Sequence, residues 1–122
     1  MHVRVLIVDD HSSFRAVARR VLSADGFAVV GEAADGAAAL DAVRTLRPDV
    51  VLLDVQLPDL DGFAVAALLA AEAAPPDVVL VSSRSRADYG SLVDTSPVRG
   101  FIGKSELSPD AVRALLGGRR CG

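Results

Sequence analysis

Charged and hydroxyl side chains follow several apolar runs of the sequence, at the position where each run stops. They are Asp9 and Asp10, Asp54, Ser82 and Ser83, and Lys104. Three carboxylates held close together repel one another, and one lysine among them leaves a net charge of about −2. Mg²⁺ would neutralise that charge, because it binds through a few carboxylates and waters and leaves room for a phosphate. The residue types therefore predict phosphate chemistry at a Mg²⁺ site, provided that the fold brings these side chains together.

The pattern of the sequence predicts a fold that can do so. Short apolar runs typical of buried strands alternate with stretches whose apolar residues recur at helical spacing. Five strand–helix pairs in succession indicate an α/β fold in which helices cover both faces of a parallel sheet. We expect a doubly wound, flavodoxin-like sheet with strand order 2-1-3-4-5 and right-handed crossovers. Strands are predicted at 3–8, 27–33, 50–54, 78–81 and 98–102. Helices are predicted at 12–24, 61–72, 86–94 and 109–116, and a further one follows the turn Asp35-Gly36 and ends at Arg47-Pro48.

The carboxyl ends of parallel strands share one edge of the sheet, where ligands bind near the point at which the strand order reverses. Each candidate follows a predicted strand, so all of them should lie at that edge. Some have simpler interpretations: Asp10 could cap the following helix, and Asp59 and Asp61 are interpreted as turn and cap residues. His11 beside two acids is interpreted as a solvated side chain rather than a transition-metal ligand. Ser82 and Ser83 taken alone would be ordinary hydroxyls at a strand end.

Composition limits the classes of function. The chain has 122 residues, 13 Lys and Arg against 16 Asp and Glu, and a net charge of −3, so we expect no direct nucleic-acid binding. The single Cys121 fits a reducing compartment, and no run is long enough to cross a membrane. We expect a soluble, cytoplasmic protein with one domain over residues 1–118 and a short tail over 119–122.

Four segments resemble those of response-regulator receiver domains of bacterial two-component signalling. They are "VLIVDDH", "VVLLDVQLPDLDG", "VLVSS" and "GFIGK", in the family's order and with similar spacing. The resemblance covers nearly the whole chain. The segments "VLIVDDHSSFR" and "VVGEAADGAAAL" most resemble receivers of regulators that carry a C-terminal helix-turn-helix. Whether this chain acts alone or precedes such an effector domain stays open.

The resemblance implies a role for each residue at the acidic edge. Asp54 would be the phosphoacceptor, attacking phosphorus as a carboxylate nucleophile to give an acyl phosphate. Asp10 would bind Mg²⁺ directly and Asp9 through water, with Asp54 and the backbone carbonyl of Gln56 completing the metal ligands. Lys104 would pair with the phosphoryl group. The donor would be a histidine kinase, a phosphotransfer protein or a small acyl phosphate.

The resemblance also implies how phosphorylation is read out. Ser82 takes the position of the hydroxyl that moves to the phosphate, and Phe101 that of the aromatic switch residue. Gln56 and Ser83 beside the site should influence the lifetime of the phosphate. We expect these changes to alter self-association, such as dimerisation, or partner docking on the face of the fourth helix, fifth strand and fifth helix.

Three other functions compete with this interpretation. A phosphatase with an aspartyl nucleophile needs an acid two residues after it, where this chain has Gln56. A flavin-binding protein of this fold needs a phosphate loop rich in Ser, Thr and Gly, where this chain has Asp9, Asp10 and His11. A degenerate receiver that only binds partners is the remaining alternative, because the fourth helix has few apolar positions.

Overall fold

The computed structural model describes residues 2–117. Cys121 and the predicted tail at 119–122 lie outside this range. Residues 2–117 form five strands that alternate with five α-helices, and short 3₁₀ turns occur at Arg86–Tyr89 and Lys104–Glu106. In chain order the elements are β1 Val3–Val8, α1 Ser12–Ser23, β2 Phe27–Ala33, α2 Gly36–Leu46, β3 Val50–Asp54, α3 Gly62–Ala70, β4 Asp77–Ser82, α4 Leu92–Thr95, β5 Gly100–Gly103 and α5 Pro109–Leu116.

The strands form one parallel sheet in the order β2-β1-β3-β4-β5, which confirms the predicted topology. The central strands β1, β3 and β4 are apolar except near their ends, because both of their faces are covered. The sheet has a hydrophobic core on each face, and alternate residues of β1 point into different cores. Leu6 packs with residues of α2 and α3, and Ile7 packs with residues of α1 and α5. β3 is buried along its whole length, including its terminal Asp54.

Side-chain caps fix where three helices begin. Asp35 accepts a hydrogen bond from the N–H of Ala38, Asp61 from Ala64, and Ser108 from Ala111. These bonds satisfy N–H groups that have no partner within the first turn of a helix. Asp61 is therefore a cap, as predicted. The residue before α1 is His11, so the alternative interpretation of Asp10 as the cap of that helix is wrong.

The fourth helical segment is the least regular part of the described chain. The predicted poor helix at 86–94 is a 3₁₀ turn, Arg86–Tyr89, followed by the single turn of α4. Gly90 separates them with φ 57° and ψ −132°, a conformation available almost only to glycine. β5 begins at Gly100 and ends at Gly103, later than the predicted strand at 98–102.

Within residues 2–117, no helix combines the length and the apolar character needed to cross a membrane. The longest helix, α1, has 12 residues.

Candidate functional site

The ends of β1 and β3 bring the predicted acids together. These strands are neighbours with Val8 opposite Leu53, so the residues that follow, Asp9 and Asp54, lie side by side. Both are buried, with 0% and 3% of their surface exposed. One ligand atom from each of Asp9, Asp10, Asp54 and His11 lies within 4.8 Å of the others.

Lys104 supplies the positive charge from the start of the 3₁₀ turn that follows β5. Its Nζ lies 2.6 Å from Asp9 Oδ2 and 3.5 Å from Asp54 Oδ2. The ammonium also lies 4.7 Å from the centre of the Phe14 ring, a cation–π contact that steadies the side chain. Three carboxylates against one ammonium leave the predicted charge of about −2.

Asp9 is held by the backbone around it. Its Oδ1 accepts a hydrogen bond from the N–H of His11 at 2.8 Å, and its N–H donates to the carbonyl of Ala33. Arg15 donates to the Asp9 carbonyl. The carboxylate is therefore fixed at the sheet edge before any ligand arrives.

Asp54 is in a less favourable environment for its charge. Burial raises the pKa of Asp54, and the neighbouring Asp9 charge raises it further. Lys104 and the N–H of Gln56, which lies 3.3 Å from Asp54 Oδ1, oppose the shift without cancelling it. An added cation would favour the charged form.

The donor set fits Mg²⁺. Among the described residues, Asp9 Oδ2 is buried and receives no hydrogen bond of ordinary geometry, so only its ion pair with Lys104 offsets its charge. Carboxylate oxygens of Asp9, Asp10 and Asp54 are the hard ligands that Mg²⁺ prefers. The Gln56 side chain is exposed, and its backbone pairs with that of Asp61 across the loop.

His11 belongs to the same group of side chains, although it was interpreted as a solvated residue. Its side chain is 65% exposed, which agrees with that interpretation. Its Nδ1 nevertheless lies 3.1 Å from both Asp9 Oδ1 and Asp10 Oδ1. The histidine thus contacts the acids on their solvent side.

Asp59 connects the loop after β3 to the first turn of α2. Its carboxylate accepts hydrogen bonds from the N–H groups of Gly36 and Ala37, at the start of α2. Those bonds lower the pKa of Asp59. Asp59 therefore has a structural role in the loop, which agrees with its interpretation as a turn residue. Its hydrogen-bond partners, however, lie in α2.

The hydroxyl predicted to meet the phosphate points to an aromatic side chain. Ser82 is 1% exposed, and its Oγ lies 2.6 Å from the hydroxyl oxygen of Tyr89. The Tyr89 ring contacts Phe63 and Phe101, with centroids 5.6 Å and 5.8 Å away. Sequence reasoning named Phe101 and missed Tyr89, because the irregular segment around it has no helical periodicity.

Ser83 lies on the open side of the same strand end. It is exposed and lines a cleft of roughly 440 Å³ together with Arg84, Lys104 and Glu106. A small phosphate donor could approach Lys104 from this cleft.

Comparison with known proteins identifies the family. A family model described as "Response regulator receiver domain" matches residues 5–116. The probable transcriptional regulatory protein NarL of Mycobacterium tuberculosis is 39% identical over 115 residues, which are 93% of this chain and 53% of that protein. Protein-glutamate methylesterase/protein-glutamine glutaminase 5 of Myxococcus xanthus is 54% identical over 82 residues, which are 66% of this chain. The chain spans 53% and 24% of the lengths of these two relatives.

Solved structures agree with this match. The signal receiver domain of the putative response regulator NarL from Mycobacterium tuberculosis superposes with a TM-score of 0.84 at 36% identity, covering 95% of this chain and 98% of that one. The response regulator domain of Thermotoga maritima CheB gives a TM-score of 0.82 at 26% identity, covering 94% of each chain. The family match over residues 5–116 and these similarities show that the chain belongs to the response-regulator receiver domains of two-component signalling.

Proposed function

We propose that Asp54 accepts a phosphoryl group from a histidine kinase, a phosphotransfer protein or a small acyl phosphate. An Asp54 carboxylate oxygen attacks phosphorus, the bond between phosphorus and the donor breaks, and the donor leaves with the bonding electrons. The product is an aspartyl acyl phosphate. The observation that carries the proposal is a buried carboxylate at the end of a central strand, 3.5 Å from Lys104 Nζ and beside the Asp9 carboxylate.

The side chains around Asp54 have separate tasks in this proposal. Phosphoryl transfer needs positioning and charge neutralisation more than covalent help. Lys104, close to Asp54 Oδ2, would meet the negative oxygens of the arriving group. Asp9, Asp10, Asp54 and the Gln56 carbonyl would hold Mg²⁺, which supplies positive charge to the phosphoryl oxygens when bound.

Asp54 is a better acceptor than the other two acids. Asp9 has no exposed surface and its oxygens face His11 and Lys104. Asp10 is exposed and ends no strand. Asp54 Oδ1 has only a weak contact with the N–H of Gln56, so one of its oxygens is free to attack.

We further propose that the phosphoryl group changes the face made by α4, β5 and α5, which then self-associates or docks a partner. The chemistry of the chain itself is limited to gaining and losing the phosphoryl group. A receiver that binds partners without phosphorylation is the second candidate. It is supported by the weakness of α4, a single turn of four residues.

Intact mass after incubation with acetyl phosphate and Mg²⁺ tests the first proposal. We expect one phosphoryl group per chain, labile in base and absent when a chelator removes Mg²⁺. Asp54→Asn should gain none, and Asp10→Asn should react far more slowly. Asp59→Asn is the matched control, because this carboxylate lies in the same loop and should leave the reaction unchanged.

Two results would reject the proposed acceptor. One is labelling of Asp54→Asn at the wild-type level. The other is a folded wild-type chain that gains no phosphoryl group from any of the three donor classes, which would favour the phosphorylation-independent receiver.

A further inference from the structure

The hydroxyl of Ser82 is committed to partners other than the acids. Among the described residues it forms hydrogen bonds with the Tyr89 hydroxyl at 2.6 Å and the N–H of Arg84 at 3.0 Å, and none with Asp54. A serine hydroxyl has one proton and two lone pairs. Because Ser82 is 1% exposed, water cannot readily replace either partner. Turning this hydroxyl toward the acids therefore requires it to leave the position that Tyr89 and Arg84 fix.

Tyr89 is held mainly by its ring. Phe63 meets it edge-on at 67°, and Phe101 lies against it at 56°, contacts that together steady the ring. The backbone around it is loosely packed, because residues 83–88 and Gly90 are exposed. The turn itself is closed by a capping box in which the N–H of Ser85 donates to Asp88. The contact between the two hydroxyls thus ties the Tyr89 side chain to the end of β4.

We propose that Tyr89 is a positioning residue that holds Ser82 away from Asp54 in the unphosphorylated chain. The inference rests on the proposed phosphorylation of Asp54. A phosphoryl group on Asp54 and the Tyr89 hydroxyl compete for Ser82, so phosphorylation breaks the contact between the two hydroxyls. Phe101 in β5 has no hydroxyl that could bind Ser82. The hydroxyl that competes with the phosphoryl group therefore belongs to Tyr89, in the 3₁₀ turn.

Loss of the hydrogen bond between Tyr89 and Ser82 would affect β5 and α4. Its ring contacts Phe101 in β5, and α4 begins three residues later at Leu92. A tyrosine that loses its partner at Ser82 can turn its hydroxyl to solvent, because the residue is only partly buried. The rings of Phe63 and Phe101 must then repack around it. The readout face would respond to phosphorylation through this aromatic group.

Tyr89→Phe tests the competition directly, because it keeps the ring and removes only the hydroxyl. Beryllofluoride with Mg²⁺ serves as a stable stand-in for the phosphoryl group on Asp54. We expect Tyr89→Phe to bind it about two- to tenfold more tightly than wild type, the range set by the net value of one hydrogen bond. Unchanged or weaker binding would show that Tyr89 does not restrain Ser82 and would overturn the proposal.

A double-mutant cycle separates this role from simple packing. In the Ser82→Ala background, Tyr89→Phe should leave the affinity for beryllofluoride unchanged, because the partner is gone. A purely structural role of the Tyr89 hydroxyl would change the affinity equally in both backgrounds.

Tyr89 is also its own reporter, because the chain has one tyrosine and no tryptophan. Ultraviolet resonance Raman bands of tyrosine report the hydrogen bonding of this one hydroxyl. They should change when beryllofluoride binds to wild type and stay constant in Asp54→Asn. If beryllofluoride fails to raise the thermal midpoint of wild type, the proposed function fails and this inference with it. If it binds with no change in the tyrosine bands, only the role of Tyr89 fails.

Discussion

The acidic edge at β1 and β3 and the segment 83–96 flank the same site, yet they are held very differently. Asp9 directly follows β1 and Asp54 ends β3, and both side chains are buried beside these central strands. In segment 83–96, Val93 alone is buried among the described residues. Local stability follows buried apolar contacts, so the first region should open rarely and the second often. In the proposed function, the phosphoryl chemistry would therefore lie on a rigid support and the response on a weakly held segment.

Two glycines show the same contrast. A Cβ added to Gly62 would lie 2.5 Å from the backbone oxygen of Asp54 and 2.7 Å from the Cα of Val55, so the backbone beside Asp54 leaves no space. A Cβ added to Gly90 would meet nothing within 4 Å. Gly90 is required only for its positive φ, whereas Gly62 is required for close packing.

The largest expected effect is therefore that of Gly62→Ala. The strands cannot yield without moving Asp54, and we expect a loss of about 3 kcal/mol in the free energy of unfolding, measured by urea titration. Phosphorylation of the folded fraction should also fall. Gly90→Ala is the control, with a cost of about 1–2 kcal/mol from backbone strain and unchanged phosphorylation. Equal losses of stability and of phosphorylation in both variants would contradict the contrast between the two regions.

Asp54→Asn should stabilise the chain in buffer without Mg²⁺. The pKa of Asp54 is raised in the folded chain above the ordinary value of 3.8, chiefly by burial. The protonated form is thus favoured by folding, and this contribution is complete below the unfolded pKa and lost as the pH rises through the folded pKa. The variant should therefore be more stable than wild type near pH 7, with the advantage shrinking toward about pH 3.

The measurement is the free energy of unfolding of both proteins across this pH range. Asp59→Asn is again a useful control with the opposite sign, because its hydrogen bonds lower the pKa of Asp59. Asp59→Asn should be less stable than wild type above the unfolded pKa, with the difference shrinking as the pH falls through the lowered folded pKa. An Asp54→Asn variant that is less stable than wild type at neutral pH would show that the buried charge is fully compensated by Lys104.

The smallest expected effects lie in α4. Val93 is 3% exposed and its neighbour Leu92 is 51% exposed, so the two form a matched pair. Val93→Ala should cost about 1–2 kcal/mol and Leu92→Ala less than about 0.5 kcal/mol in chemical denaturation. In both variants, the backbone amides of residues 84–96 should exchange hydrogen faster than those of β1 and β3. Slow exchange across this segment, matching that of the central strands, would remove the distinction between the two regions.

The sequence predicted the well-buried region at β1 and β3 better than it predicted segment 83–96. Asp54 and Asp9 could be identified because each ends an apolar run whose burial on both faces implies a parallel sheet. Tyr89 could not, because its role depends on a hydroxyl contact with Ser82 and on two rings from distant elements. The bounds of β5 were also missed, since the strand has four residues and two of them are glycine. Periodicity carries information about buried faces and little about contacts made by single side chains.

Hydride reduction of the acyl phosphate tests the central claim most directly, because it converts the phosphorylated aspartate into homoserine and marks the acceptor. Cleavage after arginine separates residues 5–15, which contain Asp9 and Asp10, from residues 45–84, which contain Asp54, because the Arg47–Pro48 bond resists the protease. After treatment with acetyl phosphate and Mg²⁺ followed by borohydride, fragmentation should place homoserine at position 54. Homoserine in the 5–15 peptide, or at Asp59 or Asp61, would contradict the account.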